Sequence, residues 1–184
     1  LIPYDAMFHY KKGAYEGENH LRDDELGLWI DKLRKKAGDT GNLLILLDAC
    51  HSGTANRENE YADCIRGTAT VFAPDEYIPT PGKNLGLSLH LVQKKGYAPT
   101  TVFSACRDEE VNFEYYDEGS NQCYGFLTFS FINIVGHYKN KVTVKSFMNN
   151  LAAKMKELRQ YSEKKKQTPY LESTNLNALF KIGL

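Results

Sequence analysis

The stretch Leu43-Leu44-Ile45-Leu46-Leu47-Asp48-Ala49-Cys50-His51-Ser52-Gly53 decides how this chain is read. Five consecutive apolar residues make a strand length. Apolarity on both faces of that strand fits a parallel sheet covered by helices on each side. The run stops abruptly in a polar turn that carries a thiol. A second strand of the same kind, Thr100-Thr101-Val102-Phe103-Ser104, ends in Ala105-Cys106-Arg107-Asp108. In open α/β sheets, sites form where parallel strands finish at their carboxyl edge. The chemistry is therefore expected at these two strand ends.

The rest of the chain supplies helices around such a sheet. Asp23-Asp24-Glu25 opens a helix with acidic residues at the end that favours them. Leu26, Trp29, Ile30 and Leu33 give it one apolar face, and Lys35-Lys36 with Gly38 close it. Gly125 to His137 is mostly apolar and predicts a buried helix. From Val144 to Tyr161, Phe147, Met148, Leu151, Met155 and Leu158 recur at helical spacing, with lysines opposite, so they are core residues. Gln167 to Phe180 reads as a closing segment with a short edge strand, and residues 5–22 as a surface loop. The stretch 54–82 is long, irregular and rich in Gly, Pro, Asn and Asp, a kind of loop that is usually functional. Strands alternating with helices predict an α/β fold, with a mostly parallel central sheet flanked by helices on both faces.

Composition narrows the function. The chain has 184 residues with 23 Lys+Arg against 23 Asp+Glu, enough length for one domain with a sizeable core. Hydrophobic residues at 42% and charged residues at 25% exclude disorder and collagen. So even a charge balance argues against nucleic acid as a partner, since phosphate binding leaves a basic surplus. Lys164-Lys165-Lys166 is read as a solvated helix end. No apolar run is long enough for a membrane span. Cys50, Cys64, Cys106 and Cys123 are too few for a disulfide scaffold and lack paired spacing for zinc. Reduced thiols and a cytoplasmic setting are expected, unless a targeting signal upstream has been removed. Leu1-Ile2-Pro3 reads as the middle of a strand or loop, so the chain is expected to be a fragment of a longer domain.

Cys50 follows its strand on the first turn, where backbone N–H groups can stabilise a thiolate or an oxyanion. Asp48, two residues earlier, faces the same side by strand alternation. A carboxylate beside a nucleophile suits a cationic substrate group. Cys106 has no acid two residues before it and is read as structural, and Cys64 and Cys123 sit in loop-like stretches. His9 and His20 lie in the 5–22 loop, His90 and His137 on helical patterns. His51 adjoins Cys50, but neighbouring side chains at a strand end diverge. None of the five is a compelling general base.

Leu47-Asp48-Ala49-Cys50-His51-Ser52-Gly53-Thr54 resembles the active-site motif of metacaspases and related bacterial caspase-like cysteine peptidases. Leu1-Ile2-Pro3-Tyr4-Asp5, Asp23-Asp24-Glu25-Leu26, Ser104-Ala105-Cys106, Gly125-Phe126-Leu127-Thr128 and Gln167-Thr168-Pro169 resemble further segments of that family, in order. The resemblance implies a caspase-like fold, with residues 1–184 as the part of one peptidase domain that carries the nucleophile. It implies a Cys–His dyad with Cys50 as nucleophile. In such enzymes the base lies about 50 residues upstream of the cysteine. The expected partner is therefore an upstream chain of the same protein bearing the catalytic His, separated by a cut just before Leu1.

The resemblance also implies that Asp48 lines the first substrate pocket, with Ser104 a less firmly placed neighbour. A carboxylate there favours Arg or Lys and rejects Asp by like charge. Cleavage of peptide or protein substrates after basic residues is expected. The bland alternative is that Asp48 only hydrogen-bonds the Cys loop. Many metacaspases bind calcium through acids in stretches matching Asp5 and Asp23-Asp24, but the acid expected seven residues after the nucleophile is Arg57 here. No metal site, calcium dependence or cofactor is expected. A catalytically silent signalling or assembly module is the rival reading.

Overall fold

The computed structural model describes residues 1–49, 66, 72, 91–107, 110–159 and 167–182. Helix α1 covers Asp23–Ala37. Its entry is fixed by the Glu25 carboxylate, which accepts a hydrogen bond from the Arg22 backbone N–H at 3.2 Å. Arg34, Lys35 and Lys36 fill the last turn, where cations suit the helix dipole. Gly38 ends it at φ 65°, in the left-handed region where a side chain would be strained. Strands β1 (Leu43–Leu47) and β2 (Thr100–Ser104) follow as expected. Next come β3 (Glu114–Asp117), β4 (Gln122–Gly125), α2 (Phe126–Tyr138), α3 (Val144–Arg159) and β5 (Tyr170–Ser173).

β1 and β2 run parallel with Leu47 opposite Ser104. β5 pairs with the other side of β2 but antiparallel, with Tyr170 opposite Ser104. Among the described residues the sheet is therefore mixed, in the order β1-β2-β5, with β1 at one edge. The expectation of burial on both faces holds for β2, buried from Thr100 to Phe103, and fails for β1, whose leucines are half-buried and whose Leu46 is exposed. Among the described residues the central strand has hydrogen-bonded neighbours on both sides, whereas β1 has one. The β3–β4 hairpin is an element the sequence reading lacked, and its turn closes at Asn121 with φ 55°.

The core lies on the sheet face that carries Phe103 and Leu44, beneath α2 and α3. Phe103, Phe131, Phe147 and Phe180 meet there, with the Phe147 and Phe180 rings stacked 3.8 Å apart. Leu127, Leu151 and Met155 are fully buried around them. Val102 alternates to the opposite face from Phe103 and is buried outside this cluster, as is Ile30 of α1. Arg34 is also buried there. Its guanidinium donates to the carbonyls of Val92 (2.9 Å) and Ala98 (3.4 Å) and pairs with Asp31, which ties residues 92–98 to α1.

The 5–22 loop is irregular, but it has a small aromatic centre of its own. Tyr10, Tyr15 and His20 surround Phe72, and the His20 and Phe72 rings are 4.2 Å apart. The backbone N–H groups of Glu18 itself and of Glu16 lower the pKa of the exposed Glu18 carboxyl. Among the described residues, no helix is long and apolar enough to cross a membrane.

Candidate active site

Parallel pairing in register brings the carboxyl ends of β1 and β2 side by side, and the Ala105 N–H donates to the Leu47 carbonyl at 2.9 Å. Asp48 leaves the end of β1, and Ser104 closes β2. These two predicted residues thus share one sheet edge. Cys50 and residues 51–53 lie outside the described residues.

The Asp48 side chain reaches the start of α2. Its Oδ2 accepts from the Thr128 backbone N–H at 3.0 Å and from the Thr128 hydroxyl, while Oδ1 accepts from Asn112 Nδ2 at 2.8 Å. Thr128 is the third residue of α2, so its N–H is one of the donors a helix cannot satisfy internally. The N-cap residue is Gly125, which has no side chain to offer. Asp48 supplies the missing carboxylate from a different element, at the helix end whose dipole favours negative charge. The approach is so close that a Cβ on Gly125 would stand 2.0 Å from Asp48 Oδ2. Only glycine leaves room there.

Behind Asp48 stands a buried amide pair. Asn112 Oδ1 accepts from Gln167 Nε2 at 2.7 Å, and that nitrogen also donates to the Ala105 carbonyl at 3.1 Å. Gln167 Oε1 accepts from the Phe113 N–H at 3.2 Å. Both amides are wholly buried. Beside them the buried Glu110 carboxylate accepts from the backbone N–H and hydroxyl of Thr168, which docks the segment leading into β5. Arg66, from the long loop, spans the front. Its guanidinium donates to the Asp48 carbonyl at 3.4 Å and pairs with Glu114 at 3.1 Å. The strand end is therefore braced from four directions: α2, the Asn112 connection, the Gln167 segment and the loop residue Arg66.

The family model described as Caspase domain matches residues 7–181 of the chain. The chain belongs to the caspase-domain family. It is thereby placed among cysteine-type peptidases with a caspase-like α/β fold, and its helices and mixed sheet are compatible with that. Neither the curated proteins nor the solved structures compared gave a match.

In this caspase-domain chain the described histidines stand apart from the strand-end network. His137 is in the last turn of α2, nine residues beyond Thr128 and so about 14 Å along the helix axis from Asp48's anchor. His20 is engaged with the Met7 carbonyl at 2.9 Å and with Phe72, and His9 is exposed in the same loop. His51 and His90 lie outside the described residues, as do Cys64 and Arg57. Cys106 follows β2 and is half-buried, and Cys123 is exposed on β4. Among the described residues no group of three His, Cys, Asp or Glu side chains comes together as a metal-ligand set. Asp23 and Asp24 are the first two residues of α1.

Asn112, Gln167, Thr128 and Gly125 are the site residues that sequence reasoning did not single out. The last three lie in segments quoted for the family resemblance, but as a strand and a helix rather than as partners of Asp48. A helix start with glycine where a capping oxygen belongs is the one local signal that a carboxylate must come from elsewhere.

Proposed function

We propose that this chain is the nucleophile-bearing part of a metacaspase-like cysteine endopeptidase that cleaves after Arg or Lys. In this reading Cys50 Sγ, as thiolate, attacks the scissile carbonyl and a histidine takes the thiol proton. The backbone N–H of Cys50 helps stabilise the tetrahedral oxyanion, and the histidine then protonates the leaving amine. Water hydrolyses the remaining thioester. Asp48 selects a basic residue before the cut, and Ser104 lines the same pocket.

The observation that carries the reading is the state of Asp48. An ionised carboxylate offers about four acceptor directions, and three are taken here by Asn112 and Thr128. These described partners come from outside the Cys loop. Among the described residues the carboxylate keeps one acceptor direction open at the end of the strand that leads to Cys50. A guanidinium or ammonium group is the natural complement.

The histidine is assigned to an upstream chain of the same protein. Two features support a further partner beside β1. That strand is all-apolar, forms an edge among the described residues and exposes Leu46, while α1 exposes Leu28, Trp29 and Leu33. An apolar edge of this kind is suited to strand pairing.

Turnover of fluorogenic peptides ending in Arg, Lys or Asp by the full-length protein tests the proposal. Arg and Lys reporters are expected to be cut, and Cys50→Ala to abolish the cut. Preference for the Asp reporter would overturn the specificity, and activity surviving Cys50→Ala would overturn the nucleophile. Complete inertness would favour the silent module. Denaturing intact mass of native material is expected to give a second, His-bearing species beside the 20.9 kDa chain; a single species would refute the two-chain arrangement.

A further inference from the structure

We infer that Asn112 is a positioning residue for substrate selection, holding the Asp48 carboxylate in the orientation that receives a basic side chain; this rests on Asp48 having the selective role proposed above. The hydrogen-bond chain behind Asp48 has only one consistent direction. The Phe113 backbone N–H can only donate, so the Gln167 atom facing it is Oε1. Gln167 Nε2 is thereby turned to the Ala105 carbonyl, which can only accept, and to Asn112 Oδ1. Asn112 Nδ2 is then left for Asp48 Oδ1, 2.8 Å away. The amide orientations follow from backbone groups rather than from choice.

The amide has one other side-chain partner, Gln167 Nε2 at 2.7 Å, which also holds the Ala105 carbonyl. Asn112 lies in the short irregular connection between β2 and β3, and its own carbonyl accepts from the Arg66 N–H at 2.8 Å. A leucine would fill the space, and Gln167 would keep its bond to the Ala105 carbonyl. The buried amide costs free energy unless both its ends are satisfied. A leucine would forfeit both the acceptor for Gln167 Nε2 and the donor to Asp48, and only the second touches the selecting carboxylate. Thr128 grips Oδ2 from α2 while Asn112 grips Oδ1 from the opposite side, so the carboxylate is locked against rotation about its Cβ–Cγ bond. Both anchors are needed for a fixed angle.

The test compares kcat and KM on two reporter peptides, one ending in Arg and one in citrulline, the uncharged isostere, in the full-length protein. Asn112→Leu is expected to raise KM for the Arg reporter and lower the Arg-to-citrulline preference about tenfold, the scale set by losing one hydrogen bond to a carboxylate. Turnover of the citrulline reporter should stay nearly unchanged. Asn112→Asp keeps the shape, sets a second carboxyl against Asp48 and should erode the preference further, which provides the test if the leucine variant does not fold. An equal loss on both reporters would mean a merely structural role and overturn the inference, as would an unaltered preference. A wild-type protein that cuts both reporters equally would instead sink the selective role of Asp48, and this inference with it.

Discussion

Helices α1 and α3 carry the same kind of pattern and meet different fates. They are 15 and 16 residues long, and each repeats apolar residues at helical spacing above a charged face. In α3, Phe147, Leu151, Met155 and Leu158 are all buried. In α1 the fully buried side chains are Ile30 and Arg34, while Trp29 is 57% and Leu33 49% exposed. The difference lies in what each helix is offered. α3 lies over the Phe103, Phe131 and Phe180 cluster beside α2, whereas α1 meets the strand that forms the edge among the described residues and the irregular segment at 92–98. Periodicity announces a face but cannot name its partner.

The comparison breaks most decisively at Phe147. Its ring stacks on Phe180 and touches Phe103 and Phe131 edge-on, so Phe147→Ala should cost about 3–5 kcal/mol. Chemical denaturation would measure it, and a loss below about 1 kcal/mol, the range of an ordinary surface change, would show that this cluster is not the stability centre. Gly125→Ala comes next. The backbone there, at φ −60°, accepts alanine, so any effect arises from the Cβ driven into Asp48. Overpacking of this kind costs about 1–3 kcal/mol. Selectivity for Arg reporters should fall in the same variant, because the carboxylate must move.

Arg34 gives the middle of the range and tests what α1 does bury. Arg34→Met keeps the stem and removes the hydrogen bonds to the Val92 and Ala98 carbonyls together with the pair to Asp31. A loss of about 1–3 kcal/mol is expected. Hydrogen exchange should quicken in residues 92–98 ahead of the α2–α3 core. If exchange rises uniformly instead, the segment is not held by this side chain.

How much of this was legible follows from the range of each interaction. β1, β2, α2 and α3 could be read because a run of leucines or a helical repeat is a local signal. The β3–β4 hairpin could not, since Glu114–Asp117 and Gln122–Gly125 are short, half-polar strands without a buried face to impose alternation. Its turn, Glu118-Gly119-Ser120-Asn121, was the readable clue. At the site, Asp48 stood out because it ends a strand. Its partner Asn112 is 64 residues away, and Gln167 another 55 beyond that. Side-chain networks closed over such distances leave no periodic trace. The expected cover on both faces of β1 failed for the same reason: an apolar strand does not show in its own residues what packs on each face of it.

The smallest expected effect sharpens the comparison most. Trp29→Ser, on the exposed face of α1, should change the stability of this chain by no more than about 0.5 kcal/mol, because little is removed from a packed environment. Lys32 lies over the indole at 4.7 Å, and losing an exposed contact of that kind accounts for about 0.5 kcal/mol, the whole of that change. In the full-length protein the same substitution reads differently if the proposed upstream chain covers α1. A loss of about 2 kcal/mol or more, as for truncating a buried aromatic side chain, would mean that the face announced by the sequence is a real core seam completed by another segment. A change that stays near zero in both would leave α1 with an apolar face and no partner, and would remove one of the two supports for placing an upstream chain beside β1.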